Sequence, residues 1–265
     1  MSTGYVSFPT TRDTFAGADG RVGGAIARAA ARTGVDFSYL FHQAKIESSL
    51  NPNARARTSS ATGLFQFIDQ TWLATVKKHG SEHGLGWAAD GIRQGPSGRY
   101  HVADPGLRSA ILDLRRDPEA ASAMAAEFAA DNQQYLERRL DRPVESVDLY
   151  LAHFLGAGGA AKFLQAHDAN PDASAASIFP AAARTNRGVF FNRDGSARSF
   201  AEVRDRFATK LGGEGGPLPS RGPALEQSAE VRMAALETGS MAGQRTAPTP
   251  QYARLAYLML AQLGA

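Results

Sequence analysis

Residues 44–72 read A-K-I-E-S-S-L-N-P-N-A-R-A-R-T-S-S-A-T-G-L-F-Q-F-I-D-Q-T-W, and through residue 68 they hold a single carboxylate, Glu47. No further Asp or Glu follows until Asp69. A single carboxyl set in an apolar wall suits the protonation of a poor leaving group. Burial disfavours the charged form, so such an acid can stay protonated near neutral pH. The alternative is a solvated glutamate at a helix end.

The spacing says which element must position it. Leu40, Ala44 and Glu47 fall at i, i+4 and i+7, one face of an α-helix. A helix over Phe37 to Ser48 is predicted, with Asp36 as N-cap and a stop at Asn51-Pro52, because Pro cannot continue a helix and restricts the residue before it. Glu47 then lies in the last turn and points with the core residues, where core meets rim.

The words around it are Glu47-Ser48, Asn51-Pro52-x-Ala54, Ser60-Ala61-x-Gly63-Leu64-Phe65-Gln66-Phe67 and Thr71-Trp72. In this order and spacing they closely resemble the catalytic segment of soluble lytic transglycosylases, the lysozyme-like family that cleaves bacterial peptidoglycan. The family's Glu-Ser and Gly-Leu-Met-Gln elements fall on Glu47-Ser48 and on Gly63 to Gln66, with Phe65 in place of Met. A further family element, usually Ala-Tyr-Asn-x-Gly, is similar to Ala152-His153-Phe154-Leu155-Gly156, with His153 for the Tyr and Phe154 for the Asn.

The resemblance implies a lysozyme-like helical domain and cleavage of the β-1,4 bond between N-acetylmuramic acid and N-acetylglucosamine. Glu47 would protonate the leaving oxygen, with the muramyl N-acetyl group meeting the charge at C1. Glu47 would then take the proton of the C6 hydroxyl as that oxygen closes a 1,6-anhydro ring. Gln66 and the backbone around Gly63, Leu64, Phe65 and Phe67 would hold the sugar. Ser48 would orient Glu47 or the helix end, since no partner base stands beside it in sequence. His153 is open to three roles: general base, hydrogen-bond donor to substrate, or structural histidine. Tyr150, one turn earlier, could supply a hydroxyl instead. If water replaced the C6 hydroxyl the protein would be a lysozyme-type hydrolase, with a distant carboxylate such as Asp104 or Asp148 as second acid. A non-catalytic glycan-binding assembly protein is the alternative from another class.

The whole chain is compatible with this. Its 265 residues suit one sizeable domain plus a smaller appendage. Net charge is only +3, from 29 basic and 26 acidic residues, with no basic stripe interleaved with aromatics, so nucleic acid is not an expected partner. The absence of Cys excludes disulfides and thiolate chemistry. No cofactor and no metal are expected. Residues 1–20 lack a basic start and an apolar run and read as a flexible polar tail. No segment reaches the ~20 apolar residues that span a bilayer. The substrate implies the periplasm or cell envelope without a recognisable signal peptide. Dedicated export, delivery in a phage particle or truncation would reconcile the two.

Nearly every periodic stretch is helical and β-branched alternation is scarce, so the expected fold is all-α. Helices are expected over 21–32, 37–48, 69–78, 107–114, 117–139, 144–154, 157–167, 178–187 and 199–211. Residues 80–104, punctuated by Gly and Pro, read as a long loop, with Trp87 and Tyr100 as sugar-stacking or loop-anchoring groups. The catalytic domain is expected over 21–211. Residues 212–249 begin at a Gly/Pro-rich junction and read as linker with a weak helix at 223–237. Residues 250–265 read as an apolar helix that packs back on the domain or on a second copy, or docks on an envelope-spanning assembly partner or a membrane surface.

Two motifs compete. His79-Gly80-Ser81-Glu82-His83 matches an H-x-x-E-H zinc-peptidase pattern. Gly80 and Gly84 interrupt any helix there, and a solvated loop is expected. Gly156 to Gly159 lacks the context of a phosphate loop and reads as backbone that bends tightly or approaches a sugar. Arg55 and Arg57 are expected in solvent, where they could attract peptidoglycan carboxylates.

Overall fold

The structure, a computed structural model, describes residues 20–57 and 59–211. The expected N-terminal tail, apart from Gly20, the linker-like region 212–249 and the apolar helix in 250–265 lie outside the described residues. Within them the chain forms α1 (Gly20–Thr33), α2 (Phe37–Ser48), α3 (Asp69–His79), α4 (Gly86–Gly91), α5 (Pro105–Asp113), α6 (Pro118–Leu140), α7 (Ser146–Leu155), α8 (Ala157–Ala169), α9 (Ala175–Ile178), α10 (Pro180–Thr185), α11 (Arg187–Phe190) and α12 (Phe200–Lys210). The all-α expectation holds. A two-stranded antiparallel ribbon, β1 (Arg93–Gln94) with β2 (Tyr100–His101), is the one sheet among the described residues.

Helix α6 is the axis. Asp117 caps it by accepting from the Ala120 N–H at 2.9 Å, with Pro118 in the first turn. Ala120, Ala121, Ala123, Met124, Ala125, Ala126, Ala129 and Ala130 are all buried, which marks a helix enclosed on most sides. These short side chains let α1 approach closely through Ala25, Ala29 and Ala30, and α3, α7 and α8 pack on α6 as well. At the other end of the domain, Ser199 and Glu202 form a capping box that starts α12. Its Phe207 then packs against Tyr150 and Phe154 of α7, ring centroids 5.5 and 5.0 Å apart.

Helix α2 spans the expected Phe37–Ser48, and its stop is made by Ser49 and Leu50, which turn left-handed (φ 54° and 63°) as the Ser49 N–H closes the helix on the Ala44 and Lys45 carbonyls, ahead of Asn51-Pro52. Two expectations need correction. Residues 80–104 are not a plain loop. They contain a 3-10 turn over Gly80–His83, α4 and the β1–β2 ribbon, tied down where the Gln70 amide donates to the Tyr100 carbonyl at 2.8 Å and accepts from its N–H at 3.0 Å. The single helix expected over 178–187 is three short ones, α9 to α11, with Phe179 and Asn186 at the breaks (both ψ 55°).

Candidate functional site

Helix α2 presents Gln43 and Glu47, one turn apart and so on one face. The Glu47 side chain is 3% exposed, so little water reaches its carboxyl. His153 of α7 stands across from both. Its Nε2 is 3.2 Å from Glu47 Oε1 and its Nδ1 is 3.2 Å from Gln43 Nε2. The ring thus bridges two side chains of the same helix face, one nitrogen to each. The Glu47 contact is close but not aligned, and Oε1 is buried without a hydrogen bond; Gln43 Oε1 and Tyr150 Oη are buried without one too. Three unpartnered polar atoms around one imidazole form a site whose hydrogen-bonding capacity is not spent on the protein.

The surroundings set the electrostatics. Tyr150 stacks on His153 with centroids 6.0 Å apart. Burial pushes the Tyr150 and Tyr39 hydroxyls far above the usual phenol range, and the Glu47 charge adds to this, so both stay neutral donors. Lys210, at the end of α12, also feels Glu47. Burial, then the nearby Arg206 charge, holds its ammonium below the usual range, against the lift from Glu47.

The other wall is the segment from Asn51 to Ile68. Ser48 Oγ donates to the Ala44 carbonyl at 3.0 Å and the Leu64 carbonyl at 2.9 Å, pinning this segment to the helix turn that carries Glu47. Gly63 has φ +85°, and a Cβ there would lie 1.9 Å from the Arg115 carbonyl oxygen, so only glycine fits. Arg115 is the staple. It donates from Nε to the Leu112 carbonyl (2.8 Å) and from one guanidinium nitrogen to the carbonyls of Ser60 (2.8 Å) and Phe67 (2.9 Å) and to Asp69 Oδ1 (2.9 Å). Burial lowers its pKa from the ordinary value although Asp69 opposes this.

Of the residues singled out in sequence, Glu47, Ser48 and His153 come together, with Tyr150 directly behind His153. The side chains of Leu64 and Phe65 are sealed in the core, so any contact of theirs with a sugar would be through the backbone. Gln66 is left-handed (φ 46°), and its amide nitrogen donates to the Gly63 and Ala54 carbonyls, at 2.8 and 3.2 Å, so that end of the side chain shapes the loop. Asp104 caps α5, and Asp148 is wholly buried in pairs with Arg142 and Arg204. Neither is free to act as a second acid. Gly156 (φ 73°) makes the bend between α7 and α8, as expected of it. Arg55 and Arg57 are exposed and Trp87 is 49% exposed. Sequence reading missed Gln43, Arg115 and Lys210. Gln43 had a usable signal, four residues before Glu47 on the same face; the others had none in local spacing.

The H-x-x-E-H segment is not a solvated loop. His79 Nε2 lies 2.9 Å from Asp131 and its Nδ1 3.4 Å from Glu127, while His83 Nε2 is 2.8 Å from Glu127. Glycine at position 80 did not prevent helical structure, because the chain passes from α3 into a 3-10 turn that aims both rings at α6. Among the described residues His79, Glu82 and Glu127 have ligand atoms within 4.8 Å of one another, close enough to share a cation. The imidazoles and Glu127 are already paired with each other, which makes the cluster an ion-pair clamp between α3 and α6.

Residues 24–86 match the family model described as the Transglycosylase SLT domain. The matched stretch holds Gln43, Glu47, Ser48 and the Gly63–Gln66 loop, whereas His153, Arg115 and Lys210 lie beyond it. The match carries with it glycan cleavage of the transglycosylase or lysozyme-like kind and a peptidoglycan substrate of the cell envelope. No helix among the described residues is long and apolar enough to cross a membrane. With its helical architecture and these motif residues in one place, the match of residues 24–86 to the transglycosylase SLT domain supports the soluble lytic transglycosylase family.

Proposed function

We propose that the protein is a peptidoglycan lytic transglycosylase that cleaves the N-acetylmuramic acid–N-acetylglucosamine β-1,4 bond and leaves a 1,6-anhydro-muramyl end, in cell-wall remodelling or local wall opening. Glu47 protonates the glycosidic oxygen as the bond to C1 breaks. The resulting carboxylate then accepts the C6 hydroxyl proton while that oxygen bonds C1. The proton count closes without water, and one carboxyl serves twice. His153 stands beside Glu47 where the family pattern has tyrosine, and Ser48 holds the turn that aims the carboxyl.

The observation that carries this reading is the isolation of Glu47. Two-carboxylate hydrolases set their acids roughly 5–9.5 Å apart across the scissile bond. Here the two candidates for a second acid, Asp104 and Asp148, are committed to a helix cap and to buried arginine pairs. Muropeptides released from purified sacculi by the full chain should carry anhydro ends, lighter by one water than hydrolysis products. Glu47→Gln should lower turnover by ~10²–10⁴-fold while the protein stays folded. Mainly hydrated, borohydride-reducible ends would replace this reading with a lysozyme-type hydrolase, and no cleavage by folded wild-type protein would favour a glycan-binding role.

A further inference from the structure

We infer that His79, Glu82 and Glu127 form a binding site for one divalent cation of the zinc kind, which would brace α3 and the 3-10 turn after it against α6. The ligand atoms of these three residues lie within 4.8 Å of one another. The site belongs to the H-x-x-E-H segment and is independent of Glu47 and of the proposed reaction.

Local structure brings the ligands together. His79 ends α3, and Glu82 follows three residues on in the 3-10 turn, where side chains at i and i+3 lie on one side. Arg32 of α1 donates to the Glu82 carbonyl at 2.8 Å and holds that turn in place. Across from it, α6 presents Glu127 and Asp131, four residues apart and so on one face. An ionised carboxylate only accepts, so His79 Nε2, 2.9 Å from Asp131 Oδ2, is the donor there. A neutral ring then turns the lone pair of Nδ1 toward Glu127 Oε2, 3.4 Å away. Two acceptors that face each other need a positive charge between them, either a second ring proton or a cation. An N–H···O bond would close to roughly 2.7–3.2 Å. Two ligands of a tetrahedral zinc ion, each bound at about 2.0–2.1 Å, stand about 3.3 Å apart. The spacing here matches the cation.

The groups around the ligands are those a metal site needs. A ligating histidine donates its other N–H to a carboxylate, which fixes the ring; here Asp131 receives it, and Lys78 in turn donates to Asp131 at 2.7 Å. His83 holds the other oxygen of Glu127, its Nε2 being 2.8 Å from Oε1, which leaves Oε2 for the cation. The His83 side chain is only 4% exposed and its Nδ1 is buried without a partner, so this ring, aimed into the cluster by Nε2, keeps a nitrogen that the fold does not use. Glu82 and Glu127 together carry the two negative charges that a divalent ion offsets. Three protein ligands leave the fourth tetrahedral position to water, on the side where Glu82 is exposed. The imidazole ligand selects zinc-like ions over magnesium and calcium, which take oxygen.

The test is titration calorimetry of the untagged full chain, stripped with a chelator, against zinc chloride near neutral pH, with Tm read alongside. Wild type should take up one zinc per chain, and zinc at about 100 times Kd should raise Tm by roughly 5–10 °C. Magnesium and calcium chloride should leave Tm unchanged. Glu82→Gln removes an exposed ligand without touching the core and should weaken zinc by about 10-fold or more. Asp131→Asn keeps all three ligands but loses the carboxylate behind His79, and should weaken zinc by about 10–100-fold. If Asp131→Asn does not fold, Glu82→Gln decides alone. No zinc uptake by folded wild type overturns the inference. So does uptake that is unchanged in Glu82→Gln, which would place the metal on others of the 6 histidines. Magnesium or calcium binding as tight as zinc would overturn the assignment of the ion.

Discussion

Arg115→Met should be the most damaging single change outside Glu47's own surroundings. The guanidinium makes four hydrogen bonds, to three carbonyls and to Asp69. Hydrogen bonds to a charged group are worth about 1.5–3 kcal/mol each, which would total roughly 6–12 if they simply added. They do not add, because the acceptors keep other partners. Asp69 retains Arg108 at 2.6 Å, the Phe67 carbonyl retains the Thr62 N–H at 3.2 Å, and the Ser60 carbonyl retains the Thr62 hydroxyl at 3.2 Å. The deletion should therefore resemble loss of one member of a buried pair, about 3–5 kcal/mol. For a domain of this size that lowers Tm by roughly 6–20 °C. The control is Arg116→Met, next in sequence but in a partly exposed pair with Asp113. An exposed pair is worth about 0–1 kcal/mol, so the control should shift Tm by less than about 4 °C. Scanning calorimetry of both variants decides it. Equal shifts would refute the claim that Arg115 staples the Gly63–Gln66 loop.

Three further outcomes follow from the geometry. Gly63→Ala should cost at least about 2 kcal/mol in urea unfolding, since it adds left-handed strain to a Cβ 1.9 Å from the Arg115 carbonyl. Burial alone would raise the Glu127 and Asp131 carboxyls, but hydrogen bonds from His83 and from His79 with Lys78, and the charges around them, hold both below the usual carboxylate range. A depressed folded value gives stability that is present above the unfolded pKa and lost as pH falls through the folded one. Tm should therefore fall below about pH 4, and more shallowly in Glu127→Gln than in wild type. A chain ending at Leu211 should fold and keep its Tm within a few degrees, because Leu211 is itself buried and closes α12; failure to fold would move the domain boundary outward.

Local chemistry made parts of the site legible. Asp36 and the i, i+4, i+7 face of α2 are short-range signals, and each came out as read. The end of α2 fell at the expected Ser48, although a left-handed Ser49 makes the stop before the more visible Pro52 is reached. The H-x-x-E-H segment was misread because glycine propensity is a weak prior that packing against α6 overrides. Arg115 was invisible in principle: it sits 48 residues from Phe67 and 55 from Ser60, and no periodicity links a staple to the loop it holds. Leu64 and Phe65 show the converse limit. A motif marks a stretch of backbone, and which of its side chains face inward is decided by the core.

Glu47 belongs to the early part of the chain, but His153 is more than a hundred positions later, and Lys210 and the Phe207 ring that backs α7 come from the last described helix. During synthesis from the N-terminus, the glutamate emerges long before the groups that surround it. A nascent or prematurely terminated chain would therefore carry the whole stretch matched to the SLT domain and still lack half of the pocket around its carboxyl. The order of translation would then itself act as a safety catch, released only when α12 docks on α7.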